Sequence, residues 1–187
     1  IQKAASNGSH LLENLLQWAQ TQTGNVSFRP DLINLNEIIQ LNCQILSYSI
    51  IKKDIDLHIP EEEEKIMVYA DYNMVDSIIR NLLNNALKFT PDRGKIEIKA
   101  EPDNTNFITV SVMDSGVGIS KSYIPKLLKL DEFYTTHGTS GETGTGLGLI
   151  ITNEFIQKNG GKLTIESSPG AGSRFSFTLP AKRSETV

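Results

Sequence analysis

The sequence predicts an α+β fold: a two-layer α/β sandwich in which helices cover one face of a mixed, mostly antiparallel sheet. Three observations carry this. Strand and helix patterns follow one another without strict βαβ alternation, which argues against an all-parallel sheet. Two pairs of segments alternate apolar and polar residues around turn signals. They are Lys95 to Ala100 with Phe107 to Met113, and Lys162 to Ser167 with Ser173 to Leu179. The third observation is the most regular helical period in the chain, over Asp71 to Phe89. There Val75, Ile78, Ile79, Leu82, Ala86 and Phe89 fall on one face at 100° steps.

The remaining elements follow in chain order. Leu11, Leu12, Leu15, Leu16 and Ala19 recur at helical spacing beside Trp18, and the helix ends near Thr23-Gly24. Its apolar stripe is wide enough to expect a partner helix. Val26 to Arg29 reads as a short strand broken by Pro30-Asp31. Asn36 is placed to cap a helix running to about Lys53. Ile55 to Ile59 and Ile66 to Ala70 read as strands, separated by the acidic turn Glu61 to Glu64. Ser120 to Leu130 reads as a short helix. Asp131 to Thr143 has little apolar period and reads as a mobile loop. Gly146 to Asn159 is the last helix.

A chain of 187 residues suffices for one domain with a proper core. A net charge of −4 without a broad basic field argues against nucleic acid as a partner. The single Cys43 excludes an internal disulfide and a Cys-rich zinc site, and its apolar neighbours predict a buried, structural thiol. No apolar run reaches the length of a membrane span, and no signal peptide is visible. A reducing, cytoplasmic setting fits, with or without a membrane anchor elsewhere in a parent protein. The chain begins without Met inside a helical pattern, as a fragment of a longer protein would.

Chemistry concentrates in three stretches. In GETGTGLGLI, Gly144, Gly146 and Gly148 alternate just before an apolar helical pattern. Backbone amides without a Cβ beside them, next to a helix N-terminus, form a site for anions such as polyphosphate. A flexible loop capping a helix is the plainer alternative. Leu149-Ile150 replaces the Lys-Ser or Lys-Thr of a P-loop, and G-x-G-x-G is not the dinucleotide fingerprint. The HRD and DFG segments of eukaryotic-type protein kinases are also absent. On the Asp71 to Phe89 helix, Asn81, Asn85 and Lys88 line one border of the apolar face. Carboxamide oxygens suit Mg²⁺ and a Lys suits phosphate, although a polar border bonded to neighbouring loops explains the same stripe. In DSGVGI, Asp114 ends a strand. Its carboxylate can accept from an exocyclic amine such as that of adenine, with Gly116 and Gly118 allowing a tight turn. An ordinary Asp-Ser-Gly turn is again the alternative.

Together these stretches resemble the ATP-binding catalytic domain of two-component sensor histidine kinases, within the superfamily shared with DNA gyrase B, MutL and the heat-shock chaperone ATPases. The resemblance covers about Asn36 to Pro180. NLLNNALKFT is similar to the N box, DSGVGI to the G1 box and GTGLGL to the G2 box. It implies ATP and Mg²⁺ as cofactors, with Asn85 as the metal ligand and Asn81 as a supporting polar contact. Lys88 and Phe89 would then contact phosphate and nucleoside, and Asp114 would read adenine. Gly116, Gly118 and Ile119 would complete the adenine end, and Gly144, Thr145, Gly146, Leu147 and Gly148 would sit at the phosphates. Thr178 of the last strand joins this implied set. Phe133-Tyr134 stands where the family has its F box, though LLKLDEFYTT lacks the Pro usual before Phe133. Thr135 to Thr143 would be the mobile ATP lid. Three helices are implied over one sheet face.

The resemblance also implies a division of the chain. Residues 1–24 would end the second helix of a dimerising, phosphoacceptor hairpin, and residues 25–187 would form the kinase domain. None of His10, His58 and His137 stands in the H-[ED]-x-[RK] context of the family's acceptor. No catalytic residue within the chain is therefore expected. The implied partners are the hairpin of the same protein, a response regulator receiver domain and, in the parent protein, a second copy in a homodimer. Three functional readings follow: transfer of the γ-phosphoryl group to a histidine, a nucleotide-sensing module without transfer, and gyrase-type ATP hydrolysis. The last needs a Glu on the helix before the metal-binding Asn, and Arg80 to Asn84 contains no acid.

Overall fold

The computed structural model describes residues 27–61, 65–103, 105–129, 138–139 and 146–181. The readings placed on Leu11 to Gln20, the acidic Glu62 to Glu64, His10, His137, Phe133-Tyr134, Gly144 and Thr145 lie outside these residues.

A five-stranded mixed sheet carries the fold. Its strands are β2 (Asp56–His58), β4 (Lys95–Pro102), β5 (Phe107–Asp114), β6 (Leu163–Ser167) and β7 (Ser173–Pro180), in the order β2-β4-β5-β7-β6. Only the β2–β4 pairing is parallel; the other pairings in this sheet are antiparallel. The period-two pattern sorts the strands into two faces. Ile96, Ile98, Val110, Val112, Phe175 and Phe177 are buried on one. Glu97, Lys99, Arg174 and Ser176 lie on the other, where the Ser111 and Ser176 hydroxyls share a 2.9 Å hydrogen bond.

The apolar face belongs to the same core as three helices, α1 (Leu35–Ile45), α3 (Tyr72–Phe89) and α4 (Gly148–Lys158). A short helix, α2 (Ser47–Lys52), follows α1. The central helix α3 buries Met74, Val75, Ile78, Ile79, Leu82, Leu83, Ala86 and Leu87, so its buried face is wider than the predicted one. Phe89, placed on that face by the period, is only half-buried. Asp71 caps α3. Its side chain accepts from the Met74 amide at 3.2 Å and from the Arg29 amide at 2.8 Å, which satisfies a donor the helix leaves unpaired. Asn159, at the end of α4, accepts from the Asp71 amide at 2.8 Å. The start of α3 is thereby joined to the end of α4.

Four local expectations need correction. Pro30 does not break a strand but begins one: β1 (Pro30–Asn34) pairs antiparallel with β3 (Met67–Asp71) in a separate two-stranded ribbon. Proline is tolerated at the first residue of an edge strand, where its missing donor costs nothing. Asn34, not Asn36, caps α1 by accepting from the Asn36 amide. Asn36 is buried and donates to the Glu61 carbonyl instead. The helix expected to reach Lys53 divides at Leu46. Finally, the helix expected over Ser120 to Leu130 is reduced to a 3₁₀ turn, Ile124–Lys126. Pro125 sits inside that stretch, removing a donor and biasing Ile124 away from the α region.

No helix among the described residues is long and apolar enough to cross a membrane. Cys43 is buried, and burial pushes its thiol up to about 11. His58 lies exposed on β2, 3.0 Å from Asp56.

Candidate functional site

The predicted motifs meet around α3. Phe89, at its C-terminal end, accepts from the Val117 amide at 3.2 Å. A Cβ on Gly116 would come within 2.5 Å of the Phe89 carbonyl. The end of the Asn-bearing helix and the DSGVGI turn are therefore in direct contact, and only a glycine fits between them. On the next turns back, the Asn81 amide group donates to the Thr152 hydroxyl of α4 at 2.8 Å. A Cβ on Gly148 would overlap the Asn81 side chain. Gly148 thus lets α4 approach α3 closely, as well as opening the helix that follows the Gly-rich stretch.

Asn81 and Asn85 separate by partner. Asn81 donates one N–H to Thr152, which ties α3 to α4. Asn85 is half-buried, and its side chain has no hydrogen bond among the described residues. Its whole carboxamide is therefore left without a hydrogen bond among the described residues, whereas that of Asn81 spends one N–H on Thr152. Lys88, half-buried, holds its ammonium 4.7 Å from the centre of the Phe89 ring, a cation–π contact.

Asp114 ends β5. Its Oδ1 accepts from the Gly116 amide at 2.8 Å and from the Ser173 amide at 3.3 Å. Burial pushes the carboxyl above its ordinary range, against the pull of these hydrogen bonds. The β6–β7 turn braces this corner. Ser167 Oγ accepts from the Ile119 amide at 2.8 Å and donates to the Gly172 carbonyl at 2.7 Å. Gly118 and Gly172 both have positive φ, 69° and 78°. A Cβ on either would also overlap backbone, that of Ser168 or Asp114. Asp114 and Ser173 border a cleft of about 700 Å³ that Lys121, Ile124 and Ser168 also line. Asn85 and Lys88 are not among the residues that line it.

The helix after the Gly-rich stretch starts at Gly148, two residues later than expected. Gly146 has a φ of 72°, which takes it out of the helix, and Leu147 is the N-cap. Leu147 makes no side-chain cap bond, and among the described residues no side chain accepts from the amides of the first turn of α4.

Thr178 is not brought to this cluster. It pairs with Thr109, and its hydroxyl accepts from the Lys162 amide at 3.0 Å. Ser173 is the β7 residue that pairs with Asp114. Sequence reasoning missed Ser173, because the contact depends on the β5–β7 register; the glycines of PGAGS are the signal that a close approach occurs there. Thr152 and Lys53 were missed for the same reason, each meeting α3 across a long sequence separation. No cluster of His, Cys, Asp and Glu able to hold a metal ion occurs among the described residues.

Residues 70–183 match the family described as the histidine kinase-, DNA gyrase B-, and HSP90-like ATPase. The non-motile and phage-resistance protein of Caulobacter vibrioides is 34% identical over 191 residues, covering 96% of this chain and 22% of that protein. The catalytic domain of histidine kinase ThkA, without nucleotide, superposes with a TM-score of 0.70 at 32% identity, covering 82% of this chain and 96% of that one. ThkA in complex with the response regulator protein TrrA gives a TM-score of 0.75 at 25% identity, over 99% of this chain and 50% of that one. The chain spans about a fifth of the length of the curated relatives it matches.

Proposed function

The chain belongs to the histidine kinase-, DNA gyrase B-, and HSP90-like ATPase family, on its sensor histidine kinase side, and from that premise we propose that it binds Mg-ATP and gives up the γ-phosphoryl group to a histidine on a separate helical hairpin. The bond from the γ-phosphorus to the bridging oxygen of ADP breaks, and a bond to an imidazole nitrogen forms. The observation that carries this reading is the convergence on α3. Val117 meets Phe89 and Asn81 meets Thr152, which sets the three motif stretches around one helix.

Each residue then has a role that its surroundings allow. Asp114, fixed by two backbone donors, accepts from the exocyclic amine of adenine. Ile119 and Phe89 supply apolar surface to the ring. Lys88, on the last turn of α3, reaches the phosphates with its flexible ammonium, and the first turn of α4, with Gly146 and Leu147 before it, presents amides to the phosphates. The donor set fits Mg²⁺ in one respect: Asn85 offers a hard oxygen without a protein partner among the described residues. A cation held by one carboxamide takes its other ligands from phosphate and water. Mg²⁺ would neutralise charge on the transferred group, and the chain's own contribution is positioning and electrostatics.

The acceptor histidine, the dimerising hairpin and a receiver domain are partners of the parent protein in this reading. The ThkA–TrrA complex supports the last of these for a relative. A transfer assay tests it. With γ-labelled ATP, label is expected on a hairpin taken from the parent protein, stable to alkali and labile to acid, and not on this chain alone. Asn85→Ala should abolish it. Tight nucleotide binding with no transfer to that hairpin would favour a sensing module instead.

A further inference from the structure

Lys53 ends the α2 segment with its side chain turned inward, and the residue is only 8% exposed. Its ammonium donates to the carbonyls of Leu87 and Thr90, each at 2.7 Å, and to the Thr139 hydroxyl at 2.8 Å. A buried ammonium is tolerated only when its donors are met, and here all three are. Two of the acceptors are carbonyls at the C-terminal end of α3, where a helix leaves them unpaired and carries partial negative charge. That much describes a helix cap.

The third bond does more. Thr139 lies in the segment between DSGVGI and the Gly-rich stretch, and it is fastened to the end of α3 more than once. Its amide donates to the Lys88 carbonyl at 3.0 Å. Its hydroxyl lies 3.1 Å from the carbonyls of both Lys88 and Thr90, and donates to one of them while accepting from Lys53. Lys53 is held in turn, its own carbonyl accepting from the Arg93 amide at 2.8 Å. Lys88 and Phe89, the proposed phosphate and nucleoside contacts, thus sit between a capped helix end and a pinned threonine.

We infer that Lys53 is a positioning residue for the nucleotide: through Thr139 it fixes the backbone at Lys88 so that the end of α3 meets the bound ligand in one geometry. The inference rests on the reading of Lys88 and Phe89 as ligand contacts. A cap with no such role would contribute stability alone, and nucleotide affinity of the folded chain would not depend on it.

The test uses Lys53→Met, Thr139→Val and Thr139→Ser in the full chain. Thr139→Val keeps the shape and leaves the α3 carbonyls capped, so it does not depend on the fate of Lys53→Met. Hydrogen exchange at the Thr139 amide is read without nucleotide, and the dissociation constant of a non-hydrolysable ATP analogue with Mg²⁺ is read by calorimetry. Lys53→Met and Thr139→Val should each speed exchange at Thr139 and weaken binding about tenfold, the scale of losing a hydrogen bond to a charged group. The double variant should be little worse than Lys53→Met, because both remove one linkage. Thr139→Ser should restore affinity to within about twofold of the unaltered chain. Faster exchange with unchanged affinity in both single variants would overturn the inference and leave Lys53 a cap. Failure of the unaltered chain to bind the analogue, with the exchange response intact, would overturn the site assignment itself and the nucleotide role of Lys53 with it.

Discussion

Asp114 illustrates how one residue trades stability for recognition. A carboxyl raised by burial favours its protonated form in the folded state. Its contribution is therefore fully present below the ordinary carboxylate range and is lost as pH rises through the raised value. Asp114→Asn keeps an oxygen that can accept from the Gly116 and Ser173 amides but carries no charge. Its melting temperature relative to the unaltered chain should climb as pH rises through that window and then level off. The same substitution should erase discrimination between ATP and GTP in competition, because the amine donor of adenine then meets the amide NH₂ donor that replaces the second carboxylate oxygen. A pH-independent difference in melting would contradict the burial argument. Cys43 is the inert counterpart: with its thiol pushed up to about 11, it should resist alkylation at pH 8 in the native state and react promptly in denaturant. Asp114 is legible in the sequence because glycines flank it on its own segment. Ser173 and Lys53 are not, since their partners come from distant segments joined only by sheet register or helix packing.

At the scale of elements, the joint between α3 and α4 bears most on the site. Gly148 exists in a space that the Asn81 side chain fills, so Gly148→Ala must displace Asn81 from Thr152. Overpacking of this kind costs about 1–3 kcal/mol. The loss should appear as a lower denaturant midpoint with little change in slope. Asp71→Ala removes the α3 cap and the acceptor of the Arg29 amide together, for about 1–2 kcal/mol, and the same midpoint measurement checks it. Long elements with strong periods are legible almost to the residue: α3, β4, β5 and β7 stand where the alternation puts them. The departures gather at proline and at caps. Pro30 reads as a breaker because a single edge strand leaves no trace of which amides face solvent. Pro125 hides inside an apolar pattern that otherwise suits a helix. Gly146 reads as part of α4, although its positive φ belongs to the loop.

For the whole molecule, the architecture explains why the motifs can lie so far apart in sequence. β5 delivers Asp114 to the end of α3, β7 brings Ser173 to its side, and α4 returns across α3 through Gly148. All of it rests on one apolar sheet face, while the other face stays polar. The fold class and the three motif stretches are legible in the sequence. The order β2-β4-β5-β7-β6 and the parallel placement of β2 are not, because strand pairing across such separations leaves no local period.

The central claim is that the stretches around α3 form one site for Mg-ATP, with Asn85 serving the metal and Asp114 the base. Calorimetric titration of the chain with ATP, with and without Mg²⁺, tests it most directly when repeated on Asn85→Ala. The unaltered chain should bind ATP, and Mg²⁺ should strengthen that binding. Asn85→Ala should lose about tenfold or more with Mg²⁺ but much less without it. Equal losses in the two conditions, or no binding by the unaltered chain, would contradict the claim.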